Sequence, residues 1–267
     1  MARFFLFLIS FCVGLAVVSS VQAYFYGLLA MKNPATNKVV ILVADIHEQA
    51  DKDFIKKQAR DFRDVTVALQ KRGPQDSVYV IAEDQSDFLT KQTQEVYTVQ
   101  SPINYITTRS RAAGVPAVNV EFRDGSSTQD TTDALQKIRE NTKDTALIGR
   151  IENYYKHQIK NKLSYEALYL DVAIVNALRA SNAQYTFIVA GANHIGSVSK
   201  ILYQDGYTEV VMQLGQQVTG CYKELLYCFN KLEAIGLFTG GTAPEPIMSL
   251  KDAVLESLDT LEDTKKL

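Results

Sequence analysis

The sequence predicts a single α/β domain with a mostly parallel central sheet flanked by helices. Uninterrupted apolar, β-branched runs recur along the chain, among them Val39–Ala44 and Val78–Ala82, and such runs are typical of strands buried on both faces of a parallel sheet. Segments with apolar residues at helical spacing separate these runs, as in α/β proteins. With 267 residues, 46% of them hydrophobic, the chain can build a large core without metal or disulfide crosslinks.

The first predicted element is an N-terminal export signal, residues 1–23. Arg3 precedes the apolar run Phe4–Val18, and the small residues up to Ala23 offer a cleavage site. An uncleaved membrane anchor is the alternative, because no charged residue occurs between Phe4 and Met31 and about 20 apolar residues span a bilayer. Cleavage predicts a secreted or periplasmic domain, whereas an uncleaved signal predicts a domain anchored to the membrane at its N-terminus.

After the signal, the sequence predicts a lead-in at 24–37, the α/β domain at 38–240, and a linker with a C-terminal tail helix at 241–267. The helix Asp51–Lys71 is expected to end at Gly73-Pro74, since neither residue continues a helix. The predicted strands are Val39–Ala44, Val78–Ala82, Ala117–Val120, Tyr185–Ala190 and Thr208–Leu214, and the other predicted helices include Tyr165–Ala180, Ser197–Gln204, Thr219–Ala234 and Ser249–Leu261.

Composition and missing motifs exclude several classes of protein. The 28 Lys and Arg residues against 30 Asp and Glu residues give a net charge of −2, and no basic block exceeds a pair, so a nucleic-acid binder is not expected. The chain contains no P-loop, dinucleotide fingerprint or serine-hydrolase elbow.

Cys221 and Cys228 would lie about 10 Å apart on a helix, beyond the ~7 Å limit of a disulfide. A bridge therefore needs a bend there, and two buried thiols are the alternative.

Polar side chains follow four of the predicted strands. Because the carboxyl ends of parallel strands meet at one edge of a sheet, where α/β proteins bind their ligands, we expect these side chains to gather there. They are Asp45 and His47 after the first strand, Glu83 after the second, Glu121 and Arg123 at and after the end of the third, and His194 after the fourth.

Imidazole and carboxylate groups together suit zinc, iron or manganese, and such a metal could lower the pKa of a bound water for hydrolysis. Without a metal, histidine and glutamate could act as a general acid/base pair. Tyr207, just before the last predicted strand, is a candidate phenolate ligand, with simple packing as the alternative. The third histidine, His157, is expected on a solvated helix face.

Two motifs resemble those of a known superfamily. The late motif is Gly191-Ala-Asn-His194-Ile-Gly196 followed by Asp205-Gly206-Tyr207, and the early one is Ala44-Asp-Ile-His47. They are similar to the two GxxH motifs of the superfamily that joins the Tiki and TraB proteins, the haem-binding lipoprotein ChaN and the erythromycin-esterase-like proteins. Glu83 stands at that superfamily's acidic position, whereas Ala44 replaces the glycine of its early motif. The resemblance spans roughly residues 38–215.

This resemblance implies an exported, metal-dependent hydrolase of the peptidase or esterase type. In that interpretation His47, Glu83 and His194 hold a divalent transition metal or activate water, and Asp45, Glu121 and Arg123 orient groups or stabilise charge. The likeness to ChaN implies instead a protein that binds haem or iron, with Tyr207 near the cofactor. A catalytically inactive, exported interaction module is a third hypothesis. The substrate, a small molecule or a peptide, is not specified by the sequence.

Overall fold

A computed structural model of the chain describes residues 23–47, 51–74, 77–84, 102–103, 105–121, 144–155, 162–214, 217–220 and 246–263. Within these residues the chain forms one seven-stranded sheet with helices on both faces, which confirms the predicted fold class. The strands are β1 (Ala23–Lys32), β2 (Val39–His47), β3 (Val78–Ala82), β4 (Ala117–Asn119), β5 (Tyr185–Gly191), β6 (Glu209–Leu214) and β7 (Gln217–Gly220). The helices are α1 (Lys52–Arg72), α2 (Ile106–Ala112), α3 (Thr145–Tyr155), α4 (Lys162–Ala180), α5 (Ala192–Gln204) and α6 (Leu250–Asp263).

The strand order in the sheet is β4-β3-β5-β2-β1-β6-β7. Strands β4, β3, β5 and β2 pair in parallel, whereas β1 is antiparallel to both β2 and β6, and β7 is antiparallel to β6. Five of the seven described strands therefore point the same way, since β6 runs in the direction of β2. The predicted pairing of Val39–Ala44 with the Tyr185–Ala190 run is confirmed, with Ala44 opposite Ala190.

The segment 24–37, for which the sequence predicts a lead-in, contains a strand of the sheet. β1 lies between β2 and β6, and all its residues from Tyr24 to Met31 are buried. The sequence does not predict this strand, because its apolar run continues directly from the predicted export signal and is indistinguishable from it by composition. Residues 23–32 belong to the sheet, so only Phe4–Gln22 of the uncharged run remains as a candidate for the membrane anchor.

Two further element boundaries differ from the prediction. The helix expected to begin at Ser197 begins at Ala192, directly after β5. The helix expected at Thr219–Ala234 is corrected at its start, since Thr219 belongs to β7, and the rest of it lies outside the described residues, as do Cys221 and Cys228. The predicted tail helix is confirmed as α6. None of the described helices is long and apolar enough to cross a membrane.

The core consists of two apolar layers, one on each face of the sheet, because alternate side chains of each strand point to opposite faces. In β2, Val40, Leu42 and Ala44 point to the face covered by α3, α4 and α5. Val39, Ile41 and Val43 point to the face covered by α1, α2 and α6. The runs that lack polar residues are thus explained by burial on both sides.

Helix α1 illustrates how local sequence and packing agree. Asp51 caps its N-terminus by accepting hydrogen bonds from the backbone N–H groups of Asp53 (2.8 Å) and Phe54 (3.2 Å). Its buried face includes Phe62, whose ring meets Phe187 of the central strand β5 edge-to-face, with ring centroids 5.4 Å apart at 74°. α1 is thereby anchored to the middle of the sheet.

An ion-pair network joins the ends of three helices. Asp144 accepts a hydrogen bond from Leu147 N at 2.9 Å and pairs with Arg179 at 2.6 Å, and Arg179 also pairs with Asp205 at 2.9 Å. The hydrogen bond from Leu147, and after it the contact with Arg179, hold the pKa of Asp144 below its ordinary value of 3.8.

We expect this network to make stability dependent on pH in the acid range. A carboxyl whose pKa is lowered in the folded state stabilises the fold above its unfolded pKa, and this contribution is lost as the pH falls through the folded pKa. Asp144→Asn should therefore reduce the melting temperature at pH 6 but bring little change at pH 2. Asp259→Asn, at an exposed position of α6, is the control. An equal loss for Asp144→Asn at both pH values would contradict the prediction.

Candidate functional site

The carboxyl ends of four parallel strands lie side by side at one edge of the sheet. Residue pairing places Asp45 level with Gly191, Ala82 level with Val189, and Ala82 level with Asn119. The predicted site residues that follow these strands therefore come to the same edge, in the order β4, β3, β5 and β2. The backbone of His47 ends β2 at this edge, whereas its side chain and the whole of Arg123 lie outside the described residues, as does His157.

His194 occupies the first turn of α5, immediately after the central strand β5. Its side chain is buried, with Nδ1 only 2.6 Å from Oδ1 of Asp171 on α4. The other oxygen of the Asp171 carboxylate accepts a hydrogen bond from the hydroxyl of Ser197, one turn further along α5. An ionised carboxylate only accepts hydrogen bonds, so Nδ1 of His194 carries the proton that it donates to Asp171. This fixes the ring and leaves Nε2 as the atom that faces the site.

Glu83 meets His194 from the neighbouring strand. Its Oε2 accepts a hydrogen bond from the backbone N–H of Gly191 at 2.8 Å, and its Oε1 lies 3.9 Å from Nε2 of His194. That distance is too long for a hydrogen bond but shorter than two metal–ligand bonds of about 2.1 Å placed end to end. The two atoms are thus spaced to contact one metal ion or one water molecule. The predicted convergence is observed for Glu83 and His194.

The next residue, Asp84, supports the site instead of lining it. Its fully buried carboxylate accepts hydrogen bonds from Tyr105 N (2.9 Å), Thr107 N (3.2 Å) and Thr107 Oγ1 (2.8 Å), where α2 begins. Asn119 holds the same turn, since its side chain accepts from Asp84 N at 3.1 Å and from Glu121 N at 3.0 Å. Glu121 is buried at the end of β4, two strands away from β5. The backbone that presents Glu83 is therefore fixed from both sides.

Asp45 lies at the same edge, buried near the end of β2. Close to it, Tyr26 of β1 is completely buried, and its hydroxyl makes no hydrogen bond within the part of the chain that the structure describes. Burial raises the pKa of the Tyr26 phenol, and the charge of Asp45 raises it further. Tyr26 is consequently a neutral phenol at all physiological pH values.

Removing this hydroxyl should not destabilise the protein. A buried polar group without a partner costs about 1–3 kcal/mol of desolvation, so Tyr26→Phe is expected to leave the free energy of unfolding unchanged or to increase it by about 1 kcal/mol. Urea unfolding of the variant measures the difference. A loss of stability of more than about 1 kcal/mol would show instead that the hydroxyl has a stabilising partner.

Tyr207 is the predicted site residue whose interpretation needs correction. It precedes β6, whose first residue Glu209 is level with Lys32, which in turn is level with Val39, the first residue of β2. Tyr207 therefore lies at the amino end of the parallel strands, and the part of α5 that follows His194, residues 195–204, about 15 Å of helix, separates this end from His194. Burial, and then the charge of Asp205, raise the pKa of its phenol. Packing accounts for Tyr207, and it is not a ligand beside His194.

The sequence-based prediction missed Asp171, although the chain contains a signal for it. Asp171 is the only charged residue in the stretch 167–175, and it falls on the same apolar stripe of α4 as Leu168 and Val175. A carboxylate on a buried stripe must find donors, because burying a charge without partners is costly. His194 and Ser197 are those donors, but their identity follows from the packing of α4 against α5.

Among the described residues, no group of three or more His, Cys, Asp or Glu side chains is placed to hold a metal ion. The described pair, Glu83 and His194, supplies one oxygen and one nitrogen ligand, which is a suitable partial donor set for a divalent transition metal. The third predicted ligand, the His47 side chain, lies outside the described residues.

Together, these features define a class of protein: an α/β domain with a carboxylate–histidine–carboxylate array, Asp171–His194–Glu83, at the carboxyl edge of its parallel strands. In comparisons with known proteins, the chain matches no protein-family model, no curated protein and no solved structure. The likeness to the Tiki/TraB and ChaN superfamily therefore depends on the motifs quoted above.

Proposed function

We propose that the protein is an exported, metal-dependent hydrolase of the peptidase or esterase type. The observation that carries this proposal is the contact of His194 Nδ1 with the buried Asp171 carboxylate at 2.6 Å, with Nε2 facing Glu83 Oε1 at 3.9 Å. Histidines that bind a metal almost always donate their other ring N–H to a carboxylate or carbonyl, which orients the ring and increases its basicity. Asp171 is placed to do this for His194.

In this proposal Nε2 of His194, Oε1 of Glu83 and the side chain of His47 hold a divalent transition metal. When bound, such a metal lowers the pKa of a water molecule and polarises the substrate carbonyl. Gly191 N–H restrains the second oxygen of Glu83, so this carboxylate presents Oε1 toward His194. The same array also supports metal-free catalysis, with His194 taking a proton from water at Nε2 while Asp171 stabilises the resulting imidazolium.

No described contact favours the haem-binding alternative, since Tyr207 lies at the opposite end of the sheet. The described part of the sheet is compatible with the proposed cleavage of an export signal. Cleavage after Ala23 would remove the export signal and only the first residue of β1, the partner of His47, so the paired sheet from Tyr24 onward stays complete.

The test uses full-length chain expressed with its N-terminal segment and purified from the exported fraction. Metal analysis should find about one transition metal per chain, and chromogenic peptide and ester substrates should be hydrolysed in a manner that a chelator abolishes and added zinc or manganese restores. Glu83→Gln should lower metal affinity at least tenfold, whereas Glu256→Gln, an exposed position on α6, should not. Protein that contains haem by its visible absorbance, or that has neither metal nor hydrolytic activity, would contradict the proposal.

A further inference from the structure

A second feature lies on the face of the sheet opposite to His194 and Asp171. Helices α1 and α2 cover that face, and between them runs a groove of about 860 Å³. This volume is in the range of sites that bind ligands. The groove is lined by Lys56, Ala59, Arg60, Arg63, Asp64, Val67, Lys71, Arg109, Ala112 and Ala113.

Five of these ten lining residues are cationic and one is acidic, although the whole chain has a net charge of −2. Lys56 pairs with Asp53, and Arg63 pairs with Asp64, on the exposed surface of α1. Arg60, Lys71 and Arg109 form no ion pair with any residue that the structure describes. The groove therefore concentrates positive charge that the described part of the fold does not neutralise.

The cations of α1 lie along one side of the helix. Lys56, Arg60, Arg63 and Lys71 are separated by four, three and eight residues, and residues three or four apart are neighbours on a helix surface. Like charges at this spacing repel one another, so Arg60 and Arg63 do not stabilise α1 through each other, whereas Lys56 pairs with Asp53 and Lys71 lies in the last turn, where a cation is favourable. Arg109 approaches from α2 on the other side, so that positive charge borders the groove on both walls.

Between the cations, the groove has an apolar floor. Ala59 and Val67 of α1 and Ala112 and Ala113 at the end of α2 contribute it. A ligand that fits both features carries negative charges at its margin and small apolar groups between them. Arginine is suited to the carboxylates of such a ligand, because its planar guanidinium can bind a carboxylate through two parallel hydrogen bonds.

We infer that this groove binds an acidic peptide segment of a partner protein, in which acidic and apolar side chains alternate. A nucleic acid or a sulfated glycan offers charge but no side chains for the apolar floor, and a flat membrane surface does not enter a groove. Lys56 and Lys71 are 15 residues apart, so the row of cations is about 22 Å long. An extended peptide covers that length with about seven residues.

The probe is a fluorescein-labelled acidic peptide of about seven residues that alternates glutamate with valine or alanine, and binding to the full-length chain is followed by fluorescence anisotropy. We expect Arg60→Glu combined with Arg109→Glu to weaken binding at least tenfold. Lys52→Glu combined with Lys251→Glu is the matched control, because it changes the net charge equally at exposed positions outside the groove. The control should weaken binding less than twofold. Increasing salt should also weaken binding, since exposed charges are screened.

Several outcomes would overturn the inference. One is the absence of peptide binding up to about 1 mM, and another is equal weakening by both double variants, which would indicate nonspecific attraction. Binding of heparin, single-stranded DNA or anionic phospholipid vesicles that depends on Arg60 and Arg109, without binding of the acidic peptide, would assign the groove to another ligand. Circular dichroism of each variant excludes loss of folding as the cause of a negative result.

Discussion

Replacing His194 by asparagine should abolish most of the activity and the metal binding while the fold is retained. The side-chain amide of asparagine can take the position of ring Nδ1 and donate a hydrogen bond to Asp171, but it offers no group in place of Nε2. The substitution removes a metal ligand or, in metal-free catalysis, the group that takes a proton from water, and loss of such a proton-transferring group typically lowers kcat by about 10²–10⁴. Because the hydrogen bond to Asp171 is kept, the free energy of unfolding should fall by less than about 2 kcal/mol.

His194→Ala distinguishes the role of Nε2 in activity from the role of the Nδ1 hydrogen bond in stability. Alanine also removes one of the two described donors to the buried Asp171 carboxylate, and removing one partner of a buried charge costs about 3–5 kcal/mol. The alanine variant should therefore be inactive and clearly less stable than the asparagine variant, as measured by urea unfolding. His157→Ala, at the histidine outside the described residues, is the control for activity. Full activity of His194→Asn would exclude a role for Nε2 and with it the proposed site.

Asp171 is expected to act on catalysis through His194, as a positioning residue. Asp171→Asn keeps the volume of the side chain but replaces one acceptor oxygen by a donor, so Nδ1 of His194 and the Ser197 hydroxyl can no longer both donate to it. In a comparable arrangement, the aspartate of the serine-protease triad, the same substitution lowers kcat about 10⁴-fold through the wrong tautomer. We expect a fall of about 10²–10⁴ in kcat here, with little change in KM.

A purely structural role for Asp171 would give a different result. The proton on Nδ1 of His194 should be visible by NMR in the wild-type protein and should be lost or strongly shifted in Asp171→Asn, together with the fall in kcat. Asp259→Asn, at an exposed position, should change neither. If Asp171→Asn lowered only the melting temperature and kept both the NMR signal and kcat, the positioning role would be wrong.

The parallel part of the fold and the edge where the site lies could be predicted from the sequence. The run Val39–Ala44 has no polar residue to place on a solvated face, and Tyr185–Ala190 has only Thr186, so the sequence favours burial on both faces. Since parallel strands end at one edge, the polar residues after them had to come together there. Glu83 and His194 do so, with 3.9 Å between Oε1 and Nε2.

Strand β1 could not be predicted in the same way. Its residues Tyr24 to Met31 are as apolar as those of β2, but they follow the apolar segment predicted as an export signal, and composition does not distinguish the end of one from the beginning of the other. The pairing of β1 with both β2 and β6 shows that this segment is a strand of the sheet. That pairing also places Tyr207 at the amino end of the sheet, far from the histidine that precedes it by 13 residues.

By itself, the sequence determined the order of the strands β2 to β6 along the chain and the side chains available at their ends, because hydrophobic periodicity is a local property. Tertiary structure alone decided which of these side chains interact. Asp171 and His194 are 23 residues apart on different helices, and their contact exists because α4 packs against α5 on one face of the sheet. Such a contact depends on the relative position of two packed elements, which no pattern within either helix specifies.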